Sequence, residues 1–331
     1  MKLSIGIVGL PNVGKSTLFK ILTKQQVHIA NYPFATIDPN VGVVPVPDER
    51  LEKLAKLSNS KKVVPAVIEF YDIAGLVKGA NKGEGLGNQF LTHIRDCKAI
   101  IQVVRCFKQS DIVHIEGTPD PLRDIEIIKT ELGLKDLETV TRRFDKAESQ
   151  TRSGDKKAVK DLEVLRKVKQ EIEKGNLIID FMHEPVVEEM QLLTAKKQLL
   201  LLNGSESDLT DEFKKKIKEL NLDYLIVDLA KIEHINELIK KAYEILNLMS
   251  FLTTGEDETR GWTIECGSKA PQAAGVIHTD FEHKFIRAEV INWQKLMEAG
   301  GWNQAKQKGW LRLEGKDYIV RDGDVMVIRH G

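Results

Sequence analysis

Gly9-Leu10-Pro11-Asn12-Val13-Gly14-Lys15-Ser16 is the stretch that decides the fold, and it follows directly on the apolar run Leu3 to Val8. It matches G-x-x-x-x-G-K-[ST], the pattern of a loop whose backbone N–H groups surround phosphate oxygens. A helix predicted from about Lys15 through Leu22 aims its positive end at the same anion. A strand, this loop and a helix, in that order, predict a phosphate site at the carboxyl end of a strand in an α/β fold.

The polar residues of this loop have separate chemical roles. Lys15 is predicted to reach the β- and γ-phosphates, and the Ser16 hydroxyl is predicted to bind Mg²⁺. The glycines stand where a Cβ would obstruct the anion. A chance glycine-rich turn is the alternative, and the strand before the loop and the helix after it argue against that interpretation. The predicted nucleotide-binding residues of this region are Asn12, Val13, Gly14, Lys15, Ser16 and Thr17.

A second phosphate-sensing element is predicted where the strand-like run Val63 to Tyr71 ends in Asp72-Ile73-Ala74-Gly75, the pattern D-x-x-G. Asp72 is predicted to hold Mg²⁺ through a water, and the Gly75 N–H to meet the γ-phosphate. The glycine-rich segment that follows is typical of a switch that becomes ordered only with its ligand. In the polar loop between the two elements, Thr36 is the candidate to close over the metal.

Base recognition needs a separate motif, and no N-K-x-D of the guanine-specific kind follows a predicted strand. The apolar run Leu199 to Leu202 is followed instead by Asn203-Gly204-Ser205-Glu206, an N-x-x-E that makes Asn203 and Glu206 the candidate base contacts. Adenine presents an amino donor where guanine presents the O6 acceptor, so the exchange of aspartate for glutamate weakens the case for GTP and admits ATP. A GTPase with an altered base pocket and a polar turn without base contact remain alternatives.

Composition excludes several classes of protein. The 331 residues exceed what one hydrophobic core usually organises, so two or three domains are expected. The 49 basic residues balance 49 acidic ones, which leaves no global field toward nucleic acid or an anionic membrane. No apolar run approaches the roughly 20 residues of a bilayer crossing, and no basic leader with a cleavage site precedes the first strand, so we expect a cytoplasmic protein without membrane contact. Cys97, Cys106 and Cys266 lack C-x-x-C spacing, which favours buried or semi-buried thiols over disulfides or a zinc site.

Five strand-like runs alternate with helical stretches, which predicts a mainly parallel, doubly wound α/β sheet. The runs are Leu3 to Val8, Val63 to Tyr71, Ala99 to Val104, Leu199 to Leu202 and Tyr224 to Val227. From about Pro121 to Gly175 apolar residues recur at helical spacing on both sides of Ser153-Gly154-Asp155, which predicts an inserted antiparallel helical hairpin. From about Leu248 shorter strand-like and helical runs, with a final hairpin around Asp322-Gly323, favour a β-grasp module.

Both additional regions are candidates for contact with a partner. The polar faces of the predicted hairpin carry many Lys and Arg residues, which favours contact with RNA or protein, although interleaved acidic residues make a solvated face an equal alternative. In the C-terminal module the candidate phosphate contacts are Lys284, Arg287, Lys295 and Lys306, and a structural cap is the alternative. No heptad pattern is long enough to demand a dimer, so a monomer is expected.

The motif-bearing stretches resemble one family closely, the YchF-type, Obg-like ATPases of the translation-factor P-loop class. The similar stretches are Gly9 to Thr17, Asn31 to Phe34, Asp72 to Ala80, Gly83 to Leu91 and Ala270 to Glu282. The resemblance covers almost the whole chain and implies Mg²⁺-dependent hydrolysis of ATP in preference to GTP, slow when the protein is alone, and association with the ribosome. It also implies a nucleotide domain in two parts, residues 1–119 and 191–247, an inserted helical arm, residues 120–190, and a C-terminal TGS domain, residues 248–331.

The resemblance also suggests how the attacking water is oriented. Leu76 stands where Ras-like GTPases have the glutamine that orients this water, and leucine cannot form that hydrogen bond. The family places a histidine after the segment Val103 to Phe107, and His114 matches that position. His114 is thus the candidate to orient water, while Lys15 stabilises the transferring charge. A loop histidine without catalytic duty, in a protein for which the nucleotide is only a regulatory ligand, is the alternative.

One departure from the family concerns the base pocket. The loop expected on the sugar side of the base is Leu229-Ala230-Lys231, in which Leu229 replaces the usual serine. The interval from Glu206 to this loop is also short for the family. The details of the base pocket therefore have to come from the tertiary structure.

Overall fold

The computed structural model describes residues 4–24, 40–72, 94–107, 120–152, 154–220 and 222–331. These residues pack as two compact units. The first contains the described residues up to 24, residues 40–42 and the described residues of 69–234; the second contains residues 43–68 and 235–331. Each unit has its own sheet.

The elements alternate along the chain as an α/β fold requires. The strands are β1 (Ser4–Val8), β2 (Val41–Pro45), β3 (Lys62–Val64), β4 (Val67–Asp72), β5 (Ala99–Arg105), β6 (Lys197–Asn203), β7 (Asp223–Val227), β8 (Leu248–Thr254), β9 (Glu258–Glu265), β10 (Phe285–Asn292), β11 (Arg312–Glu314) and β12 (Asp324–His330). The α-helices are α1 (Lys15–Lys24), α2 (Glu49–Ser58), α3 (Pro121–Thr151), α4 (Lys156–Glu173), α5 (Pro185–Met190), α6 (Asp211–Glu219), α7 (Asn236–Ile245), α8 (Ala270–Ile277), α9 (Thr279–His283), α10 (Trp293–Ala299) and α11 (Trp302–Gln307). Short 3₁₀ turns lie at Ile179–Phe181 and Glu206–Asp208.

The sheet of the nucleotide region has the strand order β2-β4-β1-β5-β6-β7. The pairs β1–β4, β1–β5, β5–β6 and β6–β7 are all parallel. Every residue of β1 and β5 is buried, as are six of the seven in β6, because strands covered on both faces need continuous apolar runs. The mainly parallel α/β sheet predicted from the sequence is confirmed.

The strand register brings the predicted site residues to one edge of this sheet. Ile7, next to the end of β1, pairs with Asp72, the last residue of β4. Arg105 and Asn203, the last residues of β5 and β6, pair with each other. Since parallel strands end at the same edge, the loop after β1 meets the ends of β4 and β6 there.

The predicted helical hairpin is formed by α3 and α4. Asp120 caps the start of α3 by accepting a hydrogen bond from the Arg123 N–H. A Cβ placed on Gly133 would lie 3.7 Å from Ile172, and ten residues further along α3 Arg143 forms a 2.7 Å ion pair with Asp161. The partner numbers fall as the α3 numbers rise, so the two helices run antiparallel, as predicted.

A buried carboxylate ties this hairpin to the segment that leads into β6. Asp136 on α3 is fully buried and accepts hydrogen bonds from the N–H of Leu193 at 3.0 Å and from the N–H and hydroxyl of Thr194, both at 2.7 Å. Burial raises the pKa of Asp136, and these three hydrogen bonds oppose that rise. The position of β6, which ends in Asn203, therefore depends on α3.

The second unit is built on a mixed sheet with the order β11-β10-β12-β8-β9-β3. β10 pairs antiparallel with β11 and β12, and β8 with β9, whereas β12–β8 and β3–β9 are parallel. One apolar cluster, which includes Phe251, Ala274 and Val290, packs this sheet against α8. Another, which includes Leu54 and Leu252, packs it against α2, α10 and α11.

Two expectations for strands are wrong. The run Val63 to Tyr71, predicted as one strand, forms β3 and β4, which belong to different sheets. Pro65 lies between them, and a proline has no N–H to continue a ladder. The hairpin predicted around Asp322-Gly323 is only a turn into β12, because the ladder partners of β12 are β10 and β8.

Residues 43–68 were predicted to belong to the nucleotide domain. In the structure they pack within the second unit. The guanidinium of Arg50 on α2 pairs with Asp48 at 2.7 Å and with Asp322 at 2.6 Å. Pairing of β3 with β9 adds a backbone ladder to this connection. The segment that precedes Asp72 is therefore integrated with the C-terminal sheet, while the four-part domain division stays a prediction.

Two further expectations concern the burial of the cysteines and membrane-spanning helices. Cys97 and Cys106 are buried as predicted, whereas Cys266 is exposed, and none of the three forms a disulfide. Within the described ranges, no helix is both long enough and apolar enough to cross a membrane.

We expect Asp136→Ala to lower the free energy of unfolding by about 3 kcal/mol, because it leaves buried N–H groups without a partner. Urea denaturation followed by circular dichroism measures this change. Glu138→Ala on the same helix is the matched control, since its exposed pair with Lys135 contributes below about 0.5 kcal/mol. Equal effects of the two substitutions would contradict the role given to Asp136.

Candidate nucleotide-binding site

A cavity of about 610 Å³ opens at the carboxyl edge of the parallel sheet in the first unit. Its lining combines the loop after β1 with the ends of β5, β6 and β7. The lining residues are Asn12, Gly14, Lys15, Ser16, Thr17, Phe107, Asn203, Asp228, Leu229 and Ala230. The cavity thus joins the predicted phosphate site to the predicted base site.

The loop has the backbone conformation that its glycines permit. Gly14 has φ +110°, which side chains rarely tolerate, and a Cβ there would lie 2.5 Å from the Asn203 amide nitrogen. A Cβ on Gly9, where φ is +151°, would lie 2.5 Å from the Val103 carbonyl oxygen. The two glycines of the motif therefore allow the loop to pack closely on its neighbours and to turn its backbone toward the cavity.

Asn203 connects the two halves of the cavity. Its side chain is buried, with the residue only 5% exposed. Its Nδ2 donates to the Val13 carbonyl at 2.8 Å, and its Oδ1 accepts from the Leu229 N–H at 3.2 Å. One amide therefore fixes the phosphate loop relative to the loop after β7.

The ammonium of Lys15 lies against the backbone of the phosphate loop. Its ammonium donates to the carbonyls of Gly9 at 2.8 Å and Leu10 at 2.7 Å. Burial lowers the pKa of Lys15 to about 8, and the carboxylate of Asp72 acts in the opposite direction. A buried cation with neutral hydrogen-bond acceptors gains most from an anionic ligand.

Asp72 has the environment of a metal-site carboxylate. Its backbone N–H donates to the Asn40 carbonyl at 2.9 Å, which fixes the end of β4. Its Oδ1 is buried and has no hydrogen-bond partner among the described residues. Burial raises the pKa of Asp72, while the nearby charge of Lys15 lowers it. The orphaned oxygen, together with the Ser16 hydroxyl on the cavity wall, fits Mg²⁺, which takes oxygen ligands and usually binds one or two protein groups along with phosphate.

The structure does not bring every predicted residue into the cavity. Thr36, Gly75 and His114 lie outside the described residues, so their predicted roles stay predictions. Glu206 follows Asn203 by three residues, but its side chain is 70% exposed and pairs with Lys214 on α6 at 2.8 Å. It is not among the residues that line the cavity, although Asn203 is. Of the two members of the N-x-x-E motif, only Asn203 lines the cavity.

Two lining residues, Phe107 and Asp228, were not identified from the sequence as site residues, whereas Leu229 and Ala230 belong to the loop expected on the sugar side of the base. Phe107 follows β5 directly, and the Arg105 guanidinium lies 4.6 Å from its ring centroid. Asp228 and Ala230 follow β7, and the Ala230 N–H donates to Asp228 Oδ1 at 3.1 Å. The available signal was their position at strand ends, which becomes informative only when the strand order is known.

Comparison with known proteins identifies the family. A family model described as "50S ribosome-binding GTPase" matches residues 4–140, and the YchF GTPase C-terminal model, described as "Protein of unknown function (DUF933)", matches residues 248–331. The Ribosome-binding ATPase YchF of Bacillus subtilis (strain 168) is 46% identical to this chain, over 99% of each. The chain belongs to the YchF family. The resemblance seen in the motifs is confirmed.

Other YchF proteins agree over the same length. The Ribosome-binding ATPase YchF of Mycoplasma genitalium is 45% identical over 98% of each chain. The solved structure of the Schizosaccharomyces pombe YchF GTPase superimposes with a TM-score of 0.84 at 37% identity, covering 99% of this chain and 98% of that one. The α/β fold with a P-loop is therefore shared across the YchF family.

We expect nucleotide affinity to fall as pH rises above about 8. Below that pH the free protein already carries the Lys15 proton; above it, binding a polyphosphate requires proton uptake, which costs up to about tenfold in affinity per pH unit. Titration with fluorescent nucleotide between pH 7 and 9.5 measures the slope. Lys15→Met binds more weakly and should lack this slope, and a flat wild-type profile would contradict the assignment.

Proposed function

We propose that this YchF protein is an Mg²⁺-dependent ATPase that hydrolyses ATP to ADP and phosphate and acts as a nucleotide switch on the ribosome. The observation that carries the proposal is a cavity lined by the P-loop lysine and a buried asparagine, with the carboxylate of Asp72 close enough to act on the charge of that lysine. The relatives named ribosome-binding ATPases support the choice of nucleotide and partner.

Each residue of this site has a separate proposed role in phosphoryl transfer. The ammonium of Lys15, which donates hydrogen bonds to two loop carbonyls, reaches the β- and γ-phosphates when nucleotide binds. There it stabilises the charge of the transferring group. The backbone N–H groups of Val13 to Thr17, at the start of α1, hold the phosphate oxygens. Ser16, Thr36 and, through a water, Asp72 would hold Mg²⁺, which when bound would neutralise charge that develops on the phosphate oxygens.

Switching is assigned to the segments that follow the strand ends. The Gly75 N–H meets the γ-phosphate and loses that contact after hydrolysis, which releases the segment that follows it. His114 orients the attacking water in place of the glutamine that Leu76 cannot replace. Asn203 and Glu206 are the residues that we propose to contact the base. Of the two, Asn203 lines the cavity.

The proposed contacts with the ribosome lie in two regions of the chain. The α3–α4 arm and the C-terminal TGS domain are the surfaces that we assign to the ribosome or its RNA. Lys284, Arg287, Lys295 and Lys306 are the proposed phosphate contacts of that domain. We propose a monomer that works in the cytoplasm, where its partner is, with no role for a membrane.

Base preference is the first test of the function. With fluorescent ATP and GTP in Mg²⁺, we expect tighter binding of ATP and release of phosphate from ATP that increases with added ribosomes. Glu206→Asp, tested in parallel, measures the part of this residue in base choice. Preference for GTP would favour an Obg-like GTPase with an altered pocket, and phosphate release at the no-enzyme rate with and without ribosomes would favour a nucleotide-regulated binding protein.

The assignment of His114 has its own test. We expect His114→Ala to lower ribosome-stimulated phosphate release by about 10²-fold or more, the usual contribution of a positioned acid–base group, without weakening nucleotide binding. Stopped-flow binding and single-turnover hydrolysis separate these effects. His183→Ala is a control, because that residue lies beside α5 and does not line the cavity. Unchanged turnover in His114→Ala would remove His114 from the mechanism.

A further inference from the structure

The helical arm contacts the nucleotide sheet at the edge opposite the cavity. Strands β1, β5 and β6 lie side by side and run parallel, so all three begin at one edge and end at the other. Ala99, the first residue of β5, pairs with Ile5 of β1 and with Lys197, the first residue of β6. The other ends of these strands lead to the P-loop, to Phe107 and to Asn203, all of which line the cavity.

One turn of α3 makes the contact at this edge. Asp136 accepts hydrogen bonds from the N–H groups of Leu193 and Thr194, which precede β6. One turn further along α3, the Thr139 hydroxyl accepts a hydrogen bond from the Arg95 guanidinium at 2.8 Å. Arg95 lies in a helical turn that precedes β5. A single turn of the arm therefore contacts the segments that lead into both of these strands.

A buried lysine joins the two segments to each other. Lys196 is only 7% exposed, and its ammonium donates to the carbonyl of Arg95 at 2.9 Å and to the carbonyl of Cys97. The N–H of Lys98 donates to the carbonyl of Ser4, the first residue of β1, at 2.9 Å. The entries of all three strands are thus bonded to one group of residues. We call this group the arm joint; its members are Arg95, Asp136, Thr139, Thr194 and Lys196.

The charged groups of the arm joint depend on one another. Burial raises the pKa of Asp136 and lowers the pKa of Lys196, so it disfavours the charged form of both. Besides the hydrogen bonds to Asp136, the charge of Arg95 opposes the first shift, and the charge of Asp136 opposes the second. A displacement that separated these groups would leave a buried charge without compensation, which is costly. A shift of the arm at this turn would therefore act on both strand entries together.

We propose that the arm joint transmits the binding of a partner on the helical arm to the nucleotide cavity, through the three strands that connect them. The seven residues of β6 span about 20 Å from the joint to Asn203, at about 3.3 Å per residue. A shift of β6 reaches the P-loop because the Asn203 amide donates to the Val13 carbonyl. This inference rests on the proposed function, in which the arm contacts the ribosome, and adds the route by which that contact changes hydrolysis.

The first experiment needs neither hydrolysis nor the ribosome. Hydrogen exchange followed by mass spectrometry is measured on the full chain, alone and with Mg²⁺ and a non-hydrolysable ATP analogue. We expect the nucleotide to change the exchange rate of the peptide that contains Leu193 and Thr194 by at least about threefold, because coupling between two sites is reciprocal. Thr139→Val should bind the analogue equally well and lose this change. An unchanged rate in the wild type, or the full change in Thr139→Val, overturns the inference.

The second experiment measures the response to ribosomes. Thr139→Val keeps nearly the same shape but removes the acceptor of the Arg95 hydrogen bond. We expect the ratio of ribosome-stimulated to basal phosphate release to fall at least about threefold, with basal release and ribosome affinity unchanged. Thr139→Ser keeps the hydroxyl and should keep the ratio. Thr151→Val, near the other end of α3, is the matched control, because its hydroxyl donates to the Glu148 carbonyl of the same helix.

The outcomes separate this inference from a purely anchoring role of the joint. Lower thermal stability of Thr139→Val with an unchanged ratio overturns the inference, as do equal falls of the ratio in Thr139→Val and Thr151→Val. If Thr139→Val does not fold, as judged by circular dichroism, Arg95→Met removes the same hydrogen bond from the donor side, and an unchanged ratio in that variant also overturns the inference.

The same measurements distinguish this inference from the proposed function. Absence of nucleotide binding overturns both. Nucleotide binding without phosphate release, with or without ribosomes, overturns the proposed ATPase function alone, because the hydrogen-exchange measurement still decides whether the arm joint and the cavity are coupled.

Discussion

The nucleotide cavity depends on one buried amide. Asn203 accepts from the Leu229 N–H and donates to the Val13 carbonyl, so the phosphate loop and the loop after β7 share a single side chain. Gly14 allows this, because a Cβ there would lie only 2.5 Å from the amide nitrogen. A buried backbone group that loses its partner costs free energy. The end of β6 therefore sets the spacing between the two sides of the cavity.

The strands that carry the site are held by contacts outside it. The segment leading into β6 is bonded to Asp136 on the helical arm. Asp72 ends β4, and the residues that precede β4 pack within the second unit, where Arg50 pairs with Asp322. The strands that end in Asn203 and Asp72 are thus continuous in sequence with segments that contacts outside the site hold in place.

Burial affects both charged groups at the phosphate end of the site. Burial lowers the pKa of Lys15 and raises the pKa of Asp72, so desolvation disfavours the charged form of both groups, and each charge partly compensates the other. A polyphosphate with a divalent cation supplies an anion for the lysine and a cation for the carboxylate. On the wall after β7, the carboxylate of Asp228 pairs with Lys231 and accepts a hydrogen bond from the Ala230 N–H.

The sequence alone determined the phosphate loop, the parallel sheet and the helical hairpin, because each depends on local patterns: glycines at fixed spacing, continuous apolar runs and helical periodicity. It also identified Asn203 as a candidate, because the N-x-x-E motif directly follows an apolar run that is typical of a buried strand. It could not show that Val63 to Tyr71 divides between two sheets or that residues 43–68 pack with the C-terminal region. Nor could it show that Glu206 pairs with Lys214 while Asp228 lines the cavity. Those outcomes depend on strand order and on competition between side chains distant in sequence, and only the tertiary structure decides which partner each side chain meets.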